Sequence, residues 1–151
     1  MALSQEVVKG LFKMSKTSEI DNWLADRVMQ PLTWGLHDCC LFAADFVSKL
    51  YGRDYGEWAR GIYKTALGAR RALRKFCGGD VTTLFEMFEN RANWKEILPV
   101  LAKSGNVCTI ETPYGIAAAV VWRGRILAQG PQGVVSLPLN KIIRSWEVPK
   151  E

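Results

Sequence analysis

The most informative stretch of this chain spans residues 34–43 and reads WGLHDCCLFA. Asp38 is a residue type that accepts hydrogen bonds from the free backbone N–H groups of a helix start, so we expect a helix to begin at Cys39. Gly52 is a typical stop and predicts that this helix ends near Tyr51. In the first turn, the helix dipole and the unpaired N–H groups stabilise a thiolate, which makes Cys39 a candidate nucleophile. The alternative is that Cys39 is a small buried side chain that packs the helix start.

Helical periodicity also marks the sequence on both sides of this helix. It predicts a helical extension over residues 1–30 and a helical half over residues 34–91. The individual helices are expected around residues 7–12, from Ser18 to the stop at Pro31, over residues 66–76 before Gly78, and from the capping residue Asp80 to about Arg91.

The second half of the chain changes to short segments that are rich in β-formers and separated by Gly or Pro. Strands are predicted at residues 107–110, 116–122, 125–129, 134–137 and 145–148. A helical half followed by a meandering antiparallel sheet over residues 105–149 predicts an α+β fold with the helices packed on one face of the sheet. The length of 151 residues fits a single domain over residues 1–151.

Composition and spacing exclude several kinds of site. The apolar run over residues 116–122 is far shorter than the ~20 residues that cross a bilayer, so we expect no membrane span. Residues 1–16 contain no apolar core of a secretory signal, and we expect folding in the cytosol with reduced thiols. The potential metal ligands lack the second closely spaced pair of a zinc site, and we expect neither a metal nor a cofactor. These ligands are His37, Cys39, Cys40, Cys77 and Cys108.

Positive charge is concentrated in one predicted helix. The net charge is +5, and residues 60–75 contain six bases and no acid, so the rest of the chain is nearly neutral. Four of these bases are Arg70, Arg71, Arg74 and Lys75. They fall on helical spacing opposite an apolar face and predict a partner-binding surface for an acidic protein, with a solvated helix face as the alternative. Nucleic acid is not favoured, because few aromatic stacking partners flank the helix and no binding motif is present.

From Trp34 onward the chain resembles the NlpC-type cysteine peptidases of the papain-like superfamily. Their Asp-Cys-Ser-Gly motif opens a helix that precedes an antiparallel sheet. Asp38 and Cys39 match this motif, whereas the two residues that follow depart from it. The resemblance implies a papain-like NlpC-type fold for the single domain.

The chain is also similar to a phage and prophage branch of this superfamily that has a Trp-Gly-x-His-Asp-Cys motif. Trp34, Gly35 and Asp38 are the matching motif residues that accompany the cysteine. Further matches are the Gly-Ala-Arg-Arg-Ala-Leu segment at residues 68–73 and a final strand with tryptophan at residues 145–148. This likeness implies a protein encoded with phage tail genes and located near the tail tip.

In the peptidase family, the cysteine works with a histidine at the start of a strand that precedes a turn such as Asn-Gly-Arg. The turn at residues 123–125 matches, and counting back from it places the histidine position at about Ile116, where this chain has no histidine. The third polar residue of the family falls near Ala128 or Gln129. Gln129 is therefore a candidate to orient an imidazole.

His37 is the only histidine in the chain and lies two residues before Cys39. A general base must come within ~2.6–3.2 Å of the thiol, directly or through a water, which leaves His37 as a candidate base. The alternative is that His37 hydrogen-bonds the backbone near the helix start.

Without the expected histidine, the resemblance implies a phage tail-tip or tail-assembly component. Such a virion protein has a degenerate peptidase site and acts by binding other tail proteins. It is made in the cytoplasm of the bacterial host and resides in the virion tail if it stays in the particle. The alternative is an active cysteine peptidase or amidase that cuts cell-wall peptide during phage entry, with Cys39 as nucleophile.

Overall fold

The computed structural model describes residues 16–150, in which four helices precede a six-stranded sheet. The helices are α1 (Lys16–Arg27), α2 (Cys39–Tyr51), α3 (Ala66–Cys77) and α4 (Val81–Ala92). The strands are β1 (Lys95–Ile97), β2 (Val107–Thr112), β3 (Gly115–Trp122), β4 (Arg125–Gln129), β5 (Val134–Leu137) and β6 (Ile142–Glu147), with short 3-10 turns at Pro99–Leu101 and Leu139–Lys141. The predicted α+β fold is confirmed, whereas the helix expected around residues 7–12 lies outside the described residues.

The helices begin and end where their capping residues predict. Asp38 accepts a hydrogen bond from the backbone N–H of Leu41 at 3.0 Å, and Asp80 caps α4 in the same way. Gly52 and Gly78 follow α2 and α3 in the left-handed conformation, which glycine adopts without steric strain. These local signals put the first turn of α2 at its predicted position.

The sheet is antiparallel throughout and has the strand order β1-β6-β2-β3-β4-β5. The predicted meander holds from β2 to β5, after which β6 crosses back to pair with both β2 and β1. The sheet therefore begins at Lys95, earlier than the predicted start at residue 105. No alternating pattern marks β1, because Lys95 and Glu96 are exposed and only Ile97 is partly buried. Its pairing with β6 is reinforced by Arg144, which donates two hydrogen bonds to Glu96 at 2.6 and 2.7 Å.

Both faces of the sheet are covered. On one face α2 packs across β3, and Phe42 and Phe46 lie in the same buried cluster as Val120. On the other face, Val121 and Ile126 belong to a separate buried cluster near the 3-10 turns. Because both of its faces are buried, β3 is a continuous apolar run rather than an alternating one. This arrangement holds the first turn of α2 against the backbone of β3.

Candidate functional site

The turn before α2 is built around the side chain of Asp38, which is 1% exposed. Besides capping α2, its carboxylate accepts hydrogen bonds from the backbone N–H of Gly35 at 3.0 Å and from the hydroxyl of Tyr63 at 2.7 Å. Gly35 has a φ of +83°, and its carbonyl oxygen accepts a hydrogen bond from the N–H of Gly61 at 2.9 Å. Trp34 packs against the buried cluster that contains Tyr63. The motif residues Trp34, Gly35 and Asp38 thus fasten the start of α2 to the segment around Tyr63.

Tyr63 completes this turn, although the sequence pattern did not point to it. Burial raises the pKa of its hydroxyl, and the charge of Asp38 raises it further, so the hydroxyl stays protonated and donates to the carboxylate. The two residues are 25 positions apart in the chain. Nothing in the local sequence signals a contact of that range.

Cys39 and Cys40 lie side by side in the first turn of α2, and both are half-buried. Hydrogen bonding from the Cys40 side chain is the main cause that lowers the pKa of the Cys39 thiol. The backbone of Ala118 on β3 lowers it further, against the opposing effect of burial. The same interaction, together with burial, raises the pKa of Cys40 well above its ordinary value. Of the two thiols, Cys39 is therefore the one that ionises first.

The strand position that meets Cys39 offers no base. The backbone of β3 contacts Cys39 at Ala118, two residues beyond the position predicted at Ile116. The side chain of Ala118 is a methyl group, which can neither accept nor donate a proton. Within residues 16–150, neither the imidazole of His37 nor a carboxylate contributes a hydrogen bond to the thiol of Cys39.

Gln129 lies at the end of β4 on the face that carries the helices, whereas Ala128 belongs to the cluster on the opposite face. Its Oε1 accepts a hydrogen bond from Nη1 of Arg27 at 2.7 Å, and its Nε2 donates to the backbone carbonyl oxygens of Gln30 and Gly130. Gln129 therefore fastens the end of α1 to the sheet. Its amide orients the guanidinium of Arg27, a residue that the sequence analysis missed, and not an imidazole.

His37 is half-buried immediately before the Asp38 cap. Burial lowers the pKa of its imidazole, and the charge of Arg27 lowers it further, so the ring is neutral near pH 7. In the part of the chain that the structure describes, the hydrogen bonds of His37 involve its backbone, which closes a turn with Thr33 at 2.7 and 2.9 Å. The fold therefore does not join the imidazole to Cys39 by a hydrogen bond.

The bases of α3 point outward, as their helical spacing predicts. Arg70, Arg71, Arg74 and Lys75 are all exposed. Leu73 is the buried residue of this helix, so most of the surface of α3 faces solvent. None of the four bases has an ion pair within residues 16–150. The structure thus presents one helix face with four exposed positive charges.

Apolar side chains flank this basic face. Phe76, near the end of α3, is 38% exposed and stacks on Trp58 with ring centroids 5.6 Å apart and planes 9° apart. Leu67, in the first turn of α3, is 52% exposed. A surface that mixes positive charge with exposed aromatic and aliphatic groups has the composition of a protein interface.

Other kinds of site have less support. Among residues 16–150, no group of three or more His, Cys, Asp or Glu residues is arranged to hold a metal ion, and the four cysteines are free. A surface depression of about 850 Å³ lies near Lys16 and Lys150, but none of the predicted site residues lines it. In the described range, no helix combines the length and the apolar character that a membrane crossing requires.

Comparison with known protein families covers nearly the whole fold. Residues 13–148 match the model of a domain of unknown function, DUF6950. The chain belongs to the DUF6950 family. The match runs from α1 to β6, so this DUF6950 domain contains both the Cys39 site and the basic face of α3. No curated protein matches the chain.

In this DUF6950 domain, Cys39 is expected to be the first of the four thiols to react with iodoacetamide. Its lowered pKa provides thiolate at a pH below the ordinary thiol value of about 8.5, and the thiolate is the reactive form. Burial raises the pKa of Cys108 to about 12 and also raises that of Cys77. Mass spectrometry of peptides alkylated across a pH series measures each rate. Reaction of Cys77 before Cys39 would contradict the expected order.

Proposed function

We propose that this DUF6950 domain is a component of a phage tail tip or of tail assembly. It has a papain-like NlpC-type fold whose peptidase chemistry is lost, and it acts by binding other tail proteins. The observation that carries the proposal is the contact between Cys39 and the backbone of Ala118, where a histidine base is missing. The partner-binding surface is the face of α3 that carries the four exposed bases.

Hydrolysis at Cys39 is disfavoured by the lack of a proton donor for the leaving group. Cleavage of a peptide by a thiolate needs a group that protonates the leaving amine, within ~2.6–3.2 Å or through one water. The Cys40 thiol has a raised pKa, Gln129 carries an amide that neither gains nor loses a proton at neutral pH, and the carboxylate of Asp38 is already bonded three times. A lowered thiol pKa alone provides a nucleophile without the acid that completes the reaction.

Binding to a partner is favoured by the positive charge of α3. The four exposed bases of α3 gain favourable electrostatic energy only when a partner brings carboxylates to them. Arginine and aromatic residues are enriched at interface hot spots, and Phe76 lies at the end of the same helix. An acidic surface on a neighbouring tail protein has the matching chemistry. Because these charges are exposed, their contribution should weaken as salt is added.

Replacing Arg70, Arg71, Arg74 and Lys75 together by glutamine is expected to weaken binding to the tail proteins encoded beside this gene. Loss of four charges at one interface should lower the affinity at least about tenfold at low salt, and less at high salt. Calorimetric titration against each purified tail protein at two salt concentrations measures the effect.

The matched control removes four exposed bases that lie elsewhere on the molecule: Lys49, Arg91, Lys95 and Lys141. It changes the net charge by the same amount and should leave the affinity almost unchanged. Equal losses in the two variants would mean that overall charge, and not α3, governs binding. No binding partner among the tail proteins would contradict the proposed function.

The second candidate function is a cysteine peptidase or amidase that cuts cell-wall peptide, with Cys39 as nucleophile. It is favoured by the lowered pKa of the Cys39 thiol at a helix start. Turnover of cell-wall stem peptides by the full chain, abolished by Cys39→Ala, would establish it. The proposed function predicts no such turnover.

A further inference from the structure

The basic face of α3 has a leucine near its N-terminal end. Leu67, Arg70, Arg71 and Arg74 stand at positions i, i+3, i+4 and i+7 of α3, and residues at this spacing share one side of a helix. Leu67 is 52% exposed, and the three arginines are exposed on the same side. This side of α3 therefore presents an apolar group that is followed, one and two turns further along, by positive charge.

Leu67 takes no part in the core. The other side of α3 supplies Ala69 and Ala72, which pack against the buried cluster around Tyr63. Leu73 of α3 lies in the main core. Among residues 16–150, neither the buried clusters nor the apolar side chains packed on them include Leu67. A single exposed leucine is ordinary on a protein surface, but this leucine is aligned with the bases, so a partner that pairs with the bases also covers it.

The spacing of these side chains fits a partner helix better than an extended partner segment. A helix repeats every ~5.4 Å, whereas the side chains on one face of a strand repeat every ~6.7 Å. Two packed helices meet through residues at i, i+3, i+4 and i+7 on both, because the ridges of one fit the grooves of the other. Over the two turns from Leu67 to Arg74, a partner helix therefore stays in register with α3 and a strand does not.

Charge determines the composition and the direction of this partner helix. Carboxylates are most favourable in the first turns of a helix, where they face the positive end of its dipole. A helix with glutamates first and an apolar residue later matches α3, in which the apolar residue comes first, when the two helices run antiparallel. A second copy of this chain would bring like charges to the same face. A nucleic-acid backbone supplies negative charge but no apolar group for Leu67.

We propose that the partner of α3 is an acidic amphipathic helix that lies antiparallel to α3 and covers Leu67 with an apolar side chain. This inference rests on the proposed function, because it names the part of a tail protein that the basic face binds. It also assigns Leu67 a role that differs from that of the bases. The bases supply an attraction that weakens as salt is added, whereas Leu67 supplies burial of apolar surface, which salt does not screen.

The test measures binding of the full chain to two fluorescently labelled peptides of equal composition. The first, AAQEAAEEAQEAAQLAAQ, places four glutamates and, nearer its C-terminus, one leucine on the same side of a helix. The second, AQAEEAAQLAQAEEAAQA, distributes the glutamates around the helix. Fluorescence anisotropy at low and high sodium chloride gives each affinity. The variants are Leu67→Ala, Leu67→Met, which keeps a large apolar side chain, and the matched control Leu98→Ala, which removes a leucine that is 66% exposed in the segment after β1.

The first peptide is expected to bind at least about tenfold more tightly than the second at low salt. Leu67→Ala should weaken binding of the first peptide about threefold to tenfold at both salt concentrations, because the lost contact is apolar. Leu67→Met and Leu98→Ala should bind like the parent chain. Equal affinities for the two peptides, or unchanged affinity in Leu67→Ala, would overturn the inference. Tighter binding of random-sequence duplex DNA than of the first peptide would overturn it too, in favour of nucleic acid.

Failure of this inference can be told apart from failure of the proposed function. If the purified tail proteins bind the parent chain and Leu67→Ala equally well, but bind the variant with four glutamines weakly, the proposed function stands and the acidic helix is wrong. If none of the tail proteins binds while the first peptide binds as described, the tail function is wrong and the assignment of α3 to an acidic helix stands.

Discussion

Replacing Gly35 by alanine is expected to destabilise the fold by about 3–5 kcal/mol. Gly35 has a φ of +83°, a region in which a Cβ is strained, and a Cβ built there lies 2.1 Å from the carbonyl oxygen of Tyr63. The neighbour is backbone, so it cannot rotate away. It is also held in place, because Gly61 donates to the carbonyl of Gly35 and the Tyr63 hydroxyl is bonded to Asp38.

The matched control for this change is Gly52→Ala. Gly52 also has a positive φ, +89°, but an added Cβ meets nothing within 4 Å. This variant should therefore lose only about 1 kcal/mol, from backbone strain alone. Urea unfolding of both variants and the parent gives the free energies. Equal losses in the free energy of unfolding would mean that the close approach of Gly35 to Tyr63 does not add to the cost of the Gly35→Ala substitution.

Asp38→Ala is expected to have the second large effect, because it should lower the free energy of unfolding by about 3–5 kcal/mol. The change removes the cap of α2 and also leaves the N–H of Gly35 and the hydroxyl of Tyr63 without their acceptor. Asp38 is 1% exposed, so water does not easily replace the lost oxygens. The cost of unpaired buried donors adds to the cost of the missing cap.

Asp80→Ala is the control, because Asp80 caps α4 at an exposed position and its carboxylate bonds only Thr83 among residues 16–150. This control should lower the free energy of unfolding by only about 1 kcal/mol. Thermal or urea unfolding compares the two variants. If Asp38→Ala lowers the free energy of unfolding by no more than Asp80→Ala does, the Asp38 carboxylate acts only as a helix cap. Its hydrogen bonds to Gly35 and Tyr63 then add no stability. Tyr63→Phe, which removes one of these bonds, should fall between the two.

The helices were predictable because their signals are local. Asp38 and Asp80 each bond a backbone N–H three residues further on, and Gly52 and Gly78 close the helices that precede them. A one-dimensional pattern contains that information. The sequence pattern did not reveal the edge strand β1. Its two exposed charged residues show no apolar alternation, and its place in the sheet depends on β6.

The candidate site also contains features that local sequence predicts and features that it does not. Cys39 and the outward bases of α3 follow from position within one helix, and the structure places them as expected. The strand position beside Cys39 depends on how α2 lies across β3, so counting from a turn located it only to within a residue or two of Ile116, and the contact is at Ala118. Likewise the contact between Arg27 and Gln129 joins residues 102 positions apart, which no local pattern signals.

The proposed role in a phage tail, through binding and not through Cys39 chemistry, is tested most directly by infection with a phage engineered to depend on a gene for this DUF6950 domain. Particles and plaques are counted for Cys39→Ala and for the variant with glutamine at the four bases of α3. The proposed function predicts normal assembly and normal infectivity for Cys39→Ala, and a loss of assembled or infectious particles for the α3 variant. Normal assembly with lost infectivity in Cys39→Ala would contradict it and favour an enzyme.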